Sequence, residues 1–167
     1  MPGRERGGSP FRYLSVAAVG LAAAHAAAAD PAYRDDRSDA ASLVRSLYNA
    51  IDRKEYARAW DYFGDRKPAA DFAAFAEGYA GTEAVDVALG AVSEEGAAGS
   101  VYFQVPLAIR AHRADGKEEV FAGCYVVRQV NPAIQEPPFR PLQIEKGSLK
   151  PAAAGSLDEA VPAECRD

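Results

Sequence analysis

Apolar residues along this chain follow two rhythms in turn. Leu43, Val44, Leu47, Tyr48 and Ile51 recur at helical spacing and form one stripe. Ser38 or Asp39 can cap that helix, because a short side-chain oxygen accepts from the free amides of a first turn. Tyr56, Ala59, Trp60 and Phe63 repeat the spacing, with Gly64 placed to end the helix. Phe72, Phe75, Ala76 and Tyr79 repeat it again, opened by Asp71 and closed near Gly81. Three short helices with aromatic stripes need a larger apolar surface to pack on.

From Val85 the rhythm shortens to strict alternation. Val85, Val87 and Leu89 predict a first strand, and Ser93 to Gly99 reads as a Gly- and Glu-rich turn. Val101, Phe103, Val105, Leu107 and Ile109 predict a long second strand. Asp115-Gly116 is a hairpin signal, with the return strand running from about Glu118 to Val130. A two-residue turn sets Ala114 opposite Lys117. Phe103 then faces Arg128, Val105 faces Val126, Leu107 faces Cys124 and Ile109 faces Ala122 on the helix side. The other face carries Tyr102, Gln104, Arg110 and His112 opposite Gln129, Val127, Phe121 and Glu119. Pro106 cannot donate to a ladder, which predicts a bulge or bend beside it. A proline-rich loop from Asn131 to Pro141 leads to a last strand, about Leu142 to Leu149.

The domain plan is therefore a leader over 30–37, an α+β domain over 38–150 and a tail over 151–167. The leader is polar and is expected to be loose. Ahead of it, residues 1–29 read as a secretory signal: Arg4, Arg6 and Arg12, then an apolar run from Leu14 to Ala24, then small residues. Cleavage after Ala29 or after Ala26 fits the small-x-small rule. An uncleaved anchor is the alternative, although the run is short for a span of about 20 residues. There is neither a twin arginine nor a cysteine at the cleavage site to take a lipid.

Hydrophobic residues are 49% of the 167, but many are alanines in the first thirty positions. Charged residues at 26% argue against disorder and against a membrane-embedded body. The formal charge is −5 and becomes more negative once the signal arginines leave. Nucleic acid and anionic lipid both require concentrated positive charge, so neither is an expected partner. Both cysteines, Cys124 and Cys165, survive processing, and an even count in an oxidising compartment favours a bridge that ties down the tail. The alternative is two unpaired thiols, with Cys124 filling a core position.

The chemistry is sparse. His112 is the one histidine left after processing, and no cysteine has a close second ligand in sequence, so no metal site is expected. Gly78 and Gly81 read as helix-end punctuation rather than a phosphate loop. Ser93 and Ser100 lack local support as nucleophiles. No cofactor is called for.

The segment Tyr48-Asn49-Ala50-Ile51-Asp52-Arg53-Lys54-Glu55-Tyr56-Ala57-Arg58-Ala59-Trp60 resembles a link in the nuclear transport factor 2-like superfamily, also called cystatin-like or ketosteroid-isomerase-like. There a long first helix passes through a polar turn into an aromatic second helix. The resemblance covers about Ser38 to Lys150. It implies three N-terminal helices packed on a strongly bent antiparallel sheet, cone-shaped, often with a pocket at the open end. Members include isomerases, dehydratases, polyketide cyclases and non-catalytic binding modules, so the fold alone does not fix the function.

The first reading is an exported, periplasmic or secreted domain that binds a small apolar or amphipathic ligand and has no catalytic centre of its own. Tyr48, Trp60, Tyr79, Tyr102 and Tyr125 are its candidate walls, with Gln104 or Arg128 as polar contact. Core packing of the same aromatics is the plain alternative. A second reading is a cofactor-free isomerase or dehydratase using Tyr48 with a carboxylate, of which Asp61 and Asp86 are the nearest. A third is a protein–protein module, a homodimer through Tyr102, Phe121 and Val127 or a contact with a periplasmic partner at the Pro137-Pro138-Phe139 tip.

Overall fold

The computed structural model describes residues 31–97, 99–153 and 155–165. The expected signal segment lies outside the described residues. The fold class is α+β: a five-stranded antiparallel sheet with a few helices.

Helix α1 (Ala40–Asp52) starts where Asp39 accepts from the Ser42 amide at 2.8 Å. It ends in a tight reversal in which Lys54 N donates to Ile51 O and Glu55 N to Ala50 O. Lys54 takes the left-handed turn position (φ 59°) usually given to glycine. Its ammonium reaches on to the carbonyls of Thr82 and Glu83. Helix α2 (Tyr56–Asp61) follows, then α3 (Phe72–Gly78), whose cap Asp71 accepts from Ala74 N at 2.8 Å.

The strands are β1 (Thr82–Leu89), β2 (Ser93–Ala97), β3 (Ser100–Arg113), β4 (Glu118–Val130) and β5 (Leu142–Pro151). They are ordered β1-β3-β4-β5, with β2 also paired to β3. The stretch read as a turn after Ser93 is thus largely a strand. It pairs Ser93 with Gln104 and Gly96 with Val101, its side chains from Ser93 to Gly96 exposed. An edge strand held by backbone bonds alone needs no alternation, so the sequence pattern had nothing to show.

The hairpin register differs by one residue from the expected one. Phe103 faces Val127, Val105 faces Tyr125, Leu107 faces Gly123 and Ile109 faces Phe121. The cause is at the tip. A two-residue turn of the expected kind requires positive φ at both Asp115 and Gly116. Here Gly116 alone adopts it (φ 81°), and Arg113 N donates to Lys117 O at 2.8 Å across a three-residue loop. One residue of slip moves every β4 side chain to the opposite face.

No bulge forms between β3 and β4 at Pro106, which pairs with Cys124 in continuous register. Pro106 instead lies where β3 changes neighbours, between Leu107 on β1 and Gln104 on β2. Its carbonyl accepts from Gly90 N at 2.8 Å. A missing N–H costs little at such a gap. Register shifts occur elsewhere, between Thr82 and Ala84 on β1 and between Val126 and Val127 on β4. At the second, β5 carries Glu145 as an extra residue.

The core lies between α1 and one sheet face. Leu43, Val44, Leu47 and Ile51 meet Val85, Val105, Leu107, Val127 and Ile144, and all are buried. On the opposite face, Pro106 and Ala108 are buried as well. Their cover is the tail, where α4 (Leu157–Ala160) packs on β3 and β1 and Cys165 bonds to Cys124. Arg110 donates to the Gly155 carbonyl from this side.

The leader is docked rather than loose. Asp36 N donates to Ser46 Oγ at 2.8 Å, and Arg34 N to Asn49 Oδ1 at 2.9 Å. Asn49 Nδ2 donates to Ala32 O at 2.9 Å, and Tyr62 donates to Asp35 at 2.8 Å. A mostly polar segment can still be ordered when polar side chains of a helix satisfy its backbone. This strap depends on pH. Burial alone would raise the Asp35 carboxyl, but hydrogen bonds from Arg37 and Tyr62 hold it below its usual 3.8. Bonds to Ser38 lower Asp36, and bonds to Ser42 lower Asp39. All three are depressed when folded, so their contribution is complete above the ordinary value and is lost as acid carries the pH down through the folded values. The protection factors of the Arg34 and Asp36 amides, taken against the intrinsic exchange rate at each pH, are expected to fall below pH ~4 relative to pH ~6, before those of the sheet amides change. An equal fall in both would count against a separate strap.

Candidate functional site

The tyrosines expected to line a pocket divide into two groups. Tyr48 of α1 and Tyr125 of β4 meet inside, their hydroxyls 2.7 Å apart and their rings stacked at 6.4 Å. Tyr79, just past α3, packs edge-on to Phe75 at 5.2 Å and stacks on Tyr56 at 6.3 Å. Trp60 packs on Phe75 at 5.3 Å and carries the Lys67 ammonium over its ring at 5.3 Å. These four are on the helix side.

Tyr102, Gln104 and Arg128 are on the other face: Tyr102 and Gln104 belong there by β3 alternation, and the one-residue register difference moves Arg128 to join them. Tyr102 pairs with Arg128, and Gln104 with Val126. Arg128 Nε donates to Ser100 Oγ at 2.9 Å, and its Nη1 reaches Glu145 at 3.4 Å. Arg128 therefore cannot be the polar contact of a pocket walled by Tyr125. The outer surface offered for a homodimer is corrected in the same way. Val127 is fully buried, and Phe121 packs against the core from the helix side.

Among the described residues three clefts open on the helix side of the sheet: one of about 470 Å³ between the leader, α1 and β1, lined by Tyr33, Tyr48, Asn49, Val85 and Val87, and two that adjoin each other. Of the adjoining two, the larger, about 460 Å³, runs between α3 and the sheet, with Phe75, Val85, Ile109, Phe121 and Leu149 as apolar wall. The smaller, about 370 Å³, lies between β5 and the connection after α2 and is floored by Phe63, Tyr79 and Tyr125. Pro68, Tyr79 and Leu149 belong to both, so the clefts adjoin. The smaller exists because the chain after α2 is bound to β5: Ile144 N donates to Tyr62 O and Gly64 N to Ile144 O, both at 2.9 Å. Gly147 is required there, since a Cβ on it would stand 2.5 Å from the Tyr125 ring.

Arg66, Lys67 and Lys146 rim this smaller cleft, and none was singled out in the sequence. Arg66 and Lys67 are consecutive but Lys146 lies far along the chain, and the pairing of residues 62–64 with β5 brings the two segments together. No local pattern signals it.

The tyrosine pair is chemically quiet as it stands. Burial raises the Tyr48 hydroxyl well above its usual value, and burial raises Tyr125 as well. Tyr48 meets a hydroxyl, not a carboxylate. Asp61 is held by Arg140 at 2.7 Å and Arg37 at 3.2 Å, and Asp86 by His112 at 2.9 Å. Asp52, which burial raises above its usual value, accepts from Val85 N at 2.7 Å. Tyr125→Phe leaves the Tyr48 hydroxyl buried without its partner, and is expected to cost about 1–3 kcal/mol. The double variant with Tyr48→Phe is expected to recover part of that loss. Urea unfolding of the wild type, both single variants and the double variant measures the coupling; additive losses would mean that the bond contributes nothing.

Among the described residues no group of three or more His, Cys, Asp or Glu stands together to hold a metal ion. No described helix is long and apolar enough to cross a membrane. No protein-family model matches the chain, and no curated protein matches it.

Proposed function

We propose that the chain is an exported small-ligand-binding module, with a nuclear transport factor 2-like cone whose inner face holds the ligand. The observation that carries this reading is the adjoining pair of clefts on the helix side, walled by apolar and aromatic side chains with a few charged groups at the rim. That composition suits an amphipathic small molecule. The disulfide supports export, because such bonds persist in oxidising compartments.

Native mass spectrometry of protein taken from the periplasm is expected to show a retained small molecule that leaves on denaturation. Gly78→Trp tests the place. A Cβ at Gly78 meets nothing within 4 Å, and the residue lines the larger cleft, so an indole there fills the space without disturbing the core. The variant is expected to keep wild-type stability and lose the bound mass. Retention of the same mass by the variant would place the ligand elsewhere.

A further inference from the structure

Pro68, Tyr79 and Leu149 are shared by the two adjoining clefts, and of the three only Tyr79 has a side chain that can hydrogen-bond. Its ring is fixed at this junction by Phe75, edge-on at 5.2 Å, and by Tyr56, stacked at 6.3 Å. Burial raises its hydroxyl above the usual 10.0, and no hydrogen bond from a described residue bears on it. The hydroxyl is not sealed in, since among the described residues Arg110 Nε is the only unpartnered side-chain atom closed off from solvent. A half-buried donor without a partner therefore opens onto the clefts it lines. Tyr48 and Tyr125 differ, each satisfying the other at 2.7 Å.

The charges nearby are already met. In the larger cleft Arg113 stands 3.8 Å from Glu119 and donates to Thr82 Oγ1 at 3.4 Å. In the smaller, Lys67 donates to the carbonyls of Phe63 and Trp60, and Arg128 engages Glu145 at 3.4 Å. Arg66 and Lys146 are exposed and stay hydrated. A charged group inside this trough would lose its water without a dedicated partner. We propose that the ligand is an uncharged apolar molecule with a carbonyl in mid-chain, which accepts a hydrogen bond from Tyr79 while one hydrocarbon arm lies in each cleft. This rests on the clefts being the binding site and adds the ligand's chemical class and placement. The donor is idle until the ligand arrives, so the new bond breaks none within the protein.

Calorimetric titration of the mature chain with 5-nonanone and its isomer 2-nonanone separates the claims. In Tyr79→Phe, 5-nonanone is expected to bind about fivefold more weakly, the worth of one neutral hydrogen bond, while 2-nonanone changes by less than about twofold. The urea midpoint of Tyr79→Phe should not fall, because the hydroxyl holds no described residue. A marked fall would reveal a partner inside the protein and overturn the proposal. Equal loss of both ketones would overturn the mid-chain placement. No loss of either would overturn the role of Tyr79, and the cleft reading then survives only if Gly78→Trp abolishes ketone binding. A retained native mass in a protein that binds neither ketone would overturn the ligand class. Absence of binding by both, with native-mass spectra also empty, would overturn the cleft reading itself.

Discussion

Replacing Cys124 and Cys165 together with serine is expected to lower the unfolding free energy by about 4 kcal/mol, the chain-entropy cost released when a loop of this length opens. The bond closes a separation of 41 residues. Its loss is not only entropic. The tail supplies few large apolar side chains, yet it covers Pro106 and Ala108 on the outer face. Without the bond, α4 has four residues and no side-chain cap to hold it in place. Urea unfolding with and without reductant measures this, and reduced wild type should match the double variant. An unchanged midpoint would mean that noncovalent contacts alone secure the tail. Alkylation of the denatured, unreduced protein should add no mass at either cysteine.

The second large effect is expected on the other side of the sheet. Leu47→Ala should destabilise by about 3 kcal/mol, because the side chain is fully enclosed and the space left cannot close easily. α1 is held from two directions. Its apolar stripe meets the sheet, and Ser46 and Asn49 hold the leader on another side. A helix fixed on two sides relaxes little into a new cavity. Chemical denaturation with the wild-type slope retained would isolate the effect. A loss below about 1 kcal/mol would mean that α1 shifts to fill the gap.

Element positions were legible wherever side chains repeat with a clear period. The alternation from Val101 to Ile109 and the cap at Asp39 both point to what forms. Register was legible only to within one residue, because Asp-Gly fits both a two-residue and a three-residue turn. That ambiguity had a large consequence for the site. It set Arg128 on the helix side, whereas the chain sets it on the opposite face beside Tyr102. Tyr48 and Tyr79 lie on helix stripes, but Tyr125 joins them only through the same slip, since the expected register sets it with Val127 and Phe121 on the outer face. The docked leader was illegible for another reason. Ser46, Asn49 and Arg58 look like ordinary solvent-facing positions, and nothing in a polar segment announces that they will bind its backbone. Arg66 and Lys146 were hidden in the same way, joined only by a contact between the chain after α2 and the last strand.

The two ends of the described chain approach the sheet from different sides. The leader lies along α1, and the tail is fastened across the opposite surface. Neither contributes to the walls of the paired clefts, which draw only on residues between Phe63 and Leu149. Capture on a biosensor chip through either terminus should therefore leave the trough open to solvent. Matching dissociation constants from the two attachments would be the practical sign of that arrangement.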